Sequence, residues 1–251
     1  MEARQTTVVT GAASGIGAAV AAALIRDGGR VVAIDIDADR LTRGAQIHGD
    51  RFIPRALDVT DVAAIETVIA EVEATSEIDG LVNAAGVLLV GSALTELDMP
   101  AFERAMAVNA AAPWLVSRAV AKAMIERRRG AIVTVSSNAS AVPRVDLGVY
   151  AATKAAATAL TRSLGLELAP FGIRCNVVSP GSTNTPMLTR LLDGRATDSS
   201  IAGDPSRFRL GIPLGRVADA SDVADGIVFL LSDRARHITL HDLRIDGGAT
   251  L

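Results

Sequence analysis

Tyr150 and Lys154 are the two side chains best placed to move a proton. They stand four apart in Tyr150-Ala151-Ala152-Thr153-Lys154, a spacing that puts both on one face of a helix. Tyr150 is the only tyrosine among 251 residues. A free phenol ionises near ~10, so a tyrosine base at neutral pH needs a drop of roughly 2–3 units, about 3–4 kcal/mol in favour of the phenolate. An ammonium ~4 Å away is worth on the order of 4 kcal/mol at an effective dielectric of 20, so the lysine can supply most of it. The chemistry this set suits is removal of a proton from an alcohol.

A second constellation reads as a phosphate cradle. An apolar run leads into Thr10-Gly11-Ala12-Ala13-Ser14-Gly15-Ile16-Gly17 and then into an alanine-rich stretch. Glycines let backbone turn tightly and approach a pyrophosphate, and a helix N-terminus presents free N–H groups and a positive dipole end. The strand–loop–helix setting is what gives such a glycine pattern meaning. Asp35 closes the next apolar run, where a carboxylate accepts hydrogen bonds from ribose hydroxyls and repels a 2′-phosphate. Neither Ser14 nor Ile36 is basic. The expected cofactor is therefore NAD.

These residues need a scaffold, and the chain alternates short apolar runs with long amphipathic stretches, the pattern of repeated βαβ units. Strands are predicted at 6–10, 30–35, 51–57, 80–83, 131–136, 174–179 and 243–246. Helices are predicted at 15–27, 62–76, 100–127, 150–169 and 221–232. The expected fold is α/β, a single-domain Rossmann fold over residues 1–251 with a doubly wound seven-stranded parallel sheet and helices on both faces. One polar stretch, 193–207 (DGRATDSSIAGDPSR), breaks the alternation, and a long irregular insert in a compact domain reads as a substrate lid.

Composition limits the partners. Hydrophobic residues make up 49% of the chain, enough to cover both faces of a buried sheet. The net charge is −3 and the charges are scattered, which argues against nucleic acid or an anionic membrane. The basic cluster Arg127–Arg129 falls where a helix should end, a position that favours cations. Cys175 is the only cysteine, so no intrachain disulfide is available. His48, His237 and His241 lack ligand spacing, and no metal is expected. No run reaches the ~20 apolar residues of a membrane span, nor is a signal peptide visible. A cytoplasmic location is the expectation.

The spacing from Thr10 to Gly17 resembles the short-chain dehydrogenase/reductase superfamily, and the likeness continues along essentially the whole chain. Asp58 and Val59 resemble the pair that contacts adenine. Asn83-Ala84-Ala85-Gly86 matches the motif beneath the cofactor, so Asn83, Ala84 and Gly86 join Gly11, Ser14, Gly15, Ile16, Gly17 and Asp35 as expected cofactor residues. Asn109, Ser137, Tyr150 and Lys154 match the family's catalytic tetrad, Tyr150 and Lys154 also touching the cofactor. The resemblance gives Asn109 a water that relays the proton from Lys154. Pro180, Gly181, Thr183 and Thr185 resemble the loop that holds the nicotinamide carboxamide. It also implies a homotetramer, built on the two long helices and the last strand.

Segments 131–136, 174–183, 210–215, 237–239 and 246–251 resemble one branch, the 2,3-dihydro-2,3-dihydroxybenzoate dehydrogenases of catechol siderophore synthesis. That likeness implies NAD-dependent oxidation of the C3 hydroxyl of a small cyclic carboxylated diol, followed by aromatisation to 2,3-dihydroxybenzoate. Such a substrate needs a cation. Arg144, six residues before Tyr150, can grip a carboxylate by two parallel hydrogen bonds; Arg209 is the second choice. Met187 would cover the ring. Two other oxidoreductases stay open: oxidation of 2,3-dihydro-3-hydroxyanthranilate, with an amine at C2, and a 3-oxoacyl-carrier-protein reductase. Asn138 and Asp146 stand where C2 would be read. A non-catalytic NAD-sensing regulator on the same fold would be expected to lack the tyrosine or the lysine.

Overall fold

Neighbouring residues of each strand point to opposite faces of the sheet, and here both faces are apolar. Val8 belongs to one core and Val9 to the other; so do Val32 and Ile34 against Val31 and Ala33. That requires helices on both sides. The computed structural model describes residues 5–89, 94–192 and 197–250. In chain order it contains β1 (Thr6–Thr10), α1 (Gly15–Arg26), β2 (Arg30–Asp35), α2 (Ala38–His48), β3 (Phe52–Ala56), α3 (Val62–Glu73) and β4 (Ile78–Asn83). The second half has α4 (Met99–Met106), α5 (Ala112–Arg127), β5 (Gly130–Val135), α6 (Gly148–Leu168) and β6 (Ile173–Pro180). Then come β7 (Thr183–Asn184), α7 (Pro186–Leu192), α8 (Asp198–Ala202), β8 (Ala218–Asp219), α9 (Ala220–Leu231) and β9 (Asp242–Ile245).

The seven-stranded sheet runs β3-β2-β1-β4-β5-β6-β9, with every neighbour parallel. Helices α3 and α5 feed the core that holds Val8 and Ile132; α1 and α9 feed the one that holds Val9 and Val133. Strand order reverses between β1 and β4. At such a switch point the loops leaving the strands diverge and open a crevice. Thr10 and Asn83, the last residues of those strands, lie in register, so the crevice opens directly above them.

The seven predicted strands are all present, with ends displaced by at most two residues. Two expectations need correction. The predicted helix 100–127 is helical throughout but not α throughout: a π-helical turn over Ala107–Ala111 lies between α4 and α5. Pro113 lies in the first turn of α5 and has no N–H for the carbonyl of Asn109 four residues back, which loosens the α ladder there. The polar stretch 193–207 is also less irregular than its composition suggests. Positions 193–196 lie outside the described residues, but the remainder forms α8, a 3₁₀ turn over Pro205–Arg207, and an antiparallel bridge between Asp204 and Arg209.

Candidate active site

A cleft of about 770 Å³ opens at the switch point. Its floor is the loop between β1 and α1. Gly11 has φ +69°, and a Cβ there would sit 2.7 Å from the Ala85 nitrogen. A side chain at Gly17 would strike the Gly11 carbonyl. Neither position tolerates one. The Thr10 hydroxyl accepts from the Ala84 and Ala85 N–H groups at 3.1 and 3.2 Å, tying the loop to the end of β4. The loop backbone is thereby bare and close to the helix N-terminus, a shape and polarity that fit a pyrophosphate.

Asp35 stands beside this cradle. Its carboxylate accepts from Ala13 N–H and Asp37 N–H, both at 3.0 Å. One bond goes to each oxygen, so each keeps a lone pair for a further donor. Asp58 and Val59 line the same end. Hydrogen bonds from the Thr60 backbone and hydroxyl hold the Asp58 carboxyl below its ordinary range, helped by Arg104 at 3.2 Å. Sequence reasoning missed Arg40, which lines the cleft near Asp35 and pairs with Asp37 at 3.2 Å. The signal was available: Asp37 caps α2 through the Arg40 N–H, which places the first turn of that helix at the rim.

Farther along the cleft lie Ser137, Tyr150 and Lys154, with Ser14, Gly15, Ile16, Ala84, Gly86, Pro180, Gly181, Thr183 and Thr185 between the two ends. The expected i, i+4 relation on α6 is present, with Lys154 Nζ 5.9 Å from the Tyr150 ring centroid. Lys154 Nζ also donates to the Val135 carbonyl at 2.9 Å. Burial pushes the Tyr150 phenol above its ordinary range, opposed by a hydrogen bond with Ser137. Burial also pulls the Lys154 ammonium down to about 8. Each group alone resists ionising. Ionised together they offset one another.

Two predicted site residues do not line the cleft. Asn83 is buried beneath it; its amide donates to Ser117 Oγ at 2.9 Å and joins β4 to α5. Asn109 is fully buried, and its side chain clamps the backbone of Val87, accepting from the N–H at 2.8 Å and donating to the carbonyl at 2.9 Å. A Cβ added to Gly86 would meet Asn109 Oδ1 at 3.2 Å and Lys154 Nζ at 3.4 Å. The three residues therefore converge, even though Asn109 is behind the wall.

Arg144, Met187 and Arg209 line the far end. Burial, then the nearby charge of Arg209, draws the Arg144 guanidinium down, while Asp246 opposes them. Arg209 Nη2 donates to Ser182 Oγ at 3.1 Å. Asp246 was not foreseen as a site residue. It accepts from Asn138 Nδ2 at 3.2 Å, from Gly248 N–H at 3.0 Å and from the Thr250 hydroxyl. Asn138 and Asp146 both line the cleft, Asn138 with one amide N–H on Asp246.

Fold and cleft together define an α/β oxidoreductase that carries a nicotinamide dinucleotide. The family model described as Enoyl-(Acyl carrier protein) reductase matches residues 11–250. A curated relative from Bacillus subtilis (strain 168), 2,3-dihydro-2,3-dihydroxybenzoate dehydrogenase, is 44% identical over 97% of this chain and 95% of its own. The Vibriobactin-specific 2,3-dihydro-2,3-dihydroxybenzoate dehydrogenase of Vibrio cholerae serotype O1 is 41% identical over 97% and 95%. A solved structure described as ElxO with NADP Bound superposes with a TM-score of 0.89, at 28% identity, over 98% of this chain and 99% of that one. The chain belongs to the short-chain dehydrogenase/reductase family, among its alcohol dehydrogenases.

Among the described residues no helix is long and apolar enough to cross a membrane, and no group of three or more His, Cys, Asp or Glu could hold a metal.

Proposed function

We infer that this enzyme oxidises the C3 hydroxyl of 2,3-dihydro-2,3-dihydroxybenzoate with NAD, the product then becoming 2,3-dihydroxybenzoate. The observation that carries the substrate class is the pair of guanidiniums, Arg144 and Arg209, that line the far end of the cleft close enough for one charge to bear on the other. A carboxylate on the substrate would take forked hydrogen bonds from such a pair. The curated relatives named above act on such an acid.

The glycine cradle and Asp35 would hold the dinucleotide, with Thr183 and Thr185 near its reactive end. The bound nicotinamide supplies the hydride acceptor. The chain's own residues do the rest: Ser137 holds the substrate hydroxyl, Tyr150 takes its proton, and Lys154 stabilises the phenolate that receives it. Asn109 positions the backbone of Val87 beside this pair and anchors the water that carries the proton onward from Lys154. Met187 packs on the substrate ring, and residues 193–207 act as the lid. A homotetramer in the cytoplasm completes the reading. The exposed Trp114 on α5, with Leu160 and Leu166 on α6, supports an interface there.

NAD over NADP rests on Asp35, whose carboxylate would face a 2′-phosphate; Arg40 is the cation that could counter it. Asp35→Ser should lower kcat/KM for NAD on the order of 100-fold, the weight of a charge-assisted bond lost at the ribose. It should raise kcat/KM for NADP at least tenfold, because the carboxylate facing the 2′-phosphate is gone while Arg40, though paired with Asp37, stays at that rim. Steady-state kinetics with both cofactors check it, and a wild-type preference for NADP would overturn the assignment.

The substrate reading predicts steady NADH formation with the dihydrodiol, and a much lower kcat/KM with its 2-amino analogue. Preference for the amine would move the enzyme to 3-hydroxyanthranilate formation. No NADH from either would remove the substrate and leave the alcohol dehydrogenase.

A further inference from the structure

Ser200 lies on α8, in the stretch read from sequence only as a lid. It is 1% exposed, it lines the cleft, and its hydroxyl has no hydrogen-bond partner among the described residues. A buried hydroxyl with no partner is uncommon and asks for an explanation. Serine at a helical position usually satisfies itself on a carbonyl of the preceding turn. Ser200 does not, although its N–H is bonded to the Thr197 carbonyl at 2.8 Å.

The position of Ser200 is fixed by its surroundings. The adjacent Ile201 carbonyl accepts from Ile212 N–H at 2.8 Å, and Asp204 and Arg209 exchange both backbone bonds, at 2.9 and 3.0 Å. This short ladder joins α8 to the strand-like segment that carries Arg209, and Arg209 in turn reaches Ser182 beside the nicotinamide loop. The hydroxyl is therefore held by the same frame as one of the two arginines.

We propose that Ser200 is a specificity-determining residue whose hydroxyl hydrogen-bonds the C2 hydroxyl of the substrate. This rests on the substrate reading above. The diol acid carries three polar groups. Its reacting hydroxyl goes to Ser137 and Tyr150, and its carboxylate to Arg144 and Arg209. The C2 hydroxyl is left over, both donor and acceptor, and it matches a serine hydroxyl that is also both. Asn138, the side chain singled out earlier for C2, is already anchored to Asp246 through its amide nitrogen, and Asp146 is engaged in an interaction of its own, whereas the Ser200 hydroxyl has no partner among the described residues. A site built to hydrogen-bond a substrate hydroxyl discriminates strongly against the analogue that lacks it.

The test compares wild type, Ser200→Ala and Ser200→Thr on the dihydrodiol and on the corresponding 3-hydroxy acid that lacks the C2 hydroxyl. Ser200→Ala should lower kcat/KM for the diol by about 10- to 100-fold and leave the deoxy acid within about twofold; Ser200→Thr, which keeps the hydroxyl, should recover part of the diol activity. The thermal midpoint without substrate gives a second readout. Removing an unsatisfied hydroxyl should raise Tm by about 2 °C for a chain of this size, whereas a serine that merely holds the lid would lower it. Equal losses on both acids, no loss on either, or a lowered Tm for Ser200→Ala overturns the assignment while wild-type turnover of the diol keeps the substrate reading. Absence of wild-type turnover of the diol overturns both.

Discussion

Tyr150→Phe is expected to lower kcat on the order of 10³-fold or more and to leave cofactor affinity within about threefold. General acid–base groups contribute roughly 10²–10⁴-fold, and no second side chain in the cleft has the same reach and acidity. Tyr150 is the only tyrosine; Lys154 is held back on the Val135 carbonyl, and the Ser137 oxygen already accepts from the Ala139 N–H at 3.2 Å. Phenylalanine keeps the buried ring, so α6 should pack as before and Tm should change little. Pre-steady-state and steady-state NADH formation, with cofactor titration by fluorescence quenching, separate the two effects. Retained turnover would remove Tyr150 from its role.

Lys154→Met should act through pH. The Tyr150–Lys154 pair titrates as a unit. In the cleft the lysine is drawn to about 8 by burial, while burial raises the phenol. The form that can accept a proton is the one from which the pair has lost one. In wild type, kcat/KM for oxidation should therefore rise with pH to a plateau above about 8. With the ammonium removed, only burial and Ser137 act on the phenol. A unit charge ~4–6 Å away at an effective dielectric of 20 is worth about 3–4 kcal/mol, at least roughly two pK units. The midpoint should move up by about that much, and kcat/KM at pH 7 should fall about 100-fold, with the two profiles converging near pH 10 and above. A profile measured from pH 6 to 10.5 decides it. A variant that is slower at every pH with an unmoved midpoint would mean that Lys154 does not set the acidity of Tyr150.

Both expectations start from a pair visible in the sequence, yet their size depends on the tertiary structure. An i, i+4 spacing guarantees a shared helix face, and the glycine loop guarantees a backbone that can approach phosphate. The spacing does not give the bond that Lys154 makes to the Val135 carbonyl, nor the burial that drives both groups away from their charged forms. Asn109 shows the same division. Its place in the tetrad was legible from resemblance, but its burial behind the wall, clamped on Val87, was not. The π turn around it had a readable cause in Pro113, although periodicity alone merged α4 and α5 into one helix.

The strands, their parallel arrangement and the cofactor cradle were legible locally, because short continuous apolar runs alternating with amphipathic stretches, glycine positions and a strand-ending aspartate depend only on near neighbours. The assembly of Arg144 with Arg209 and Asp246, and the burial of a Ser200 hydroxyl without a partner among the described residues, were decided by the tertiary structure. These residues lie 65, 37 and more positions apart, on loops and short helices whose polar composition carries no period. Charge pairing and hydroxyl satisfaction are settled only when the chain closes around the cleft, which is why the reaction could be read from the sequence while the substrate's polar groups could be matched only in the fold.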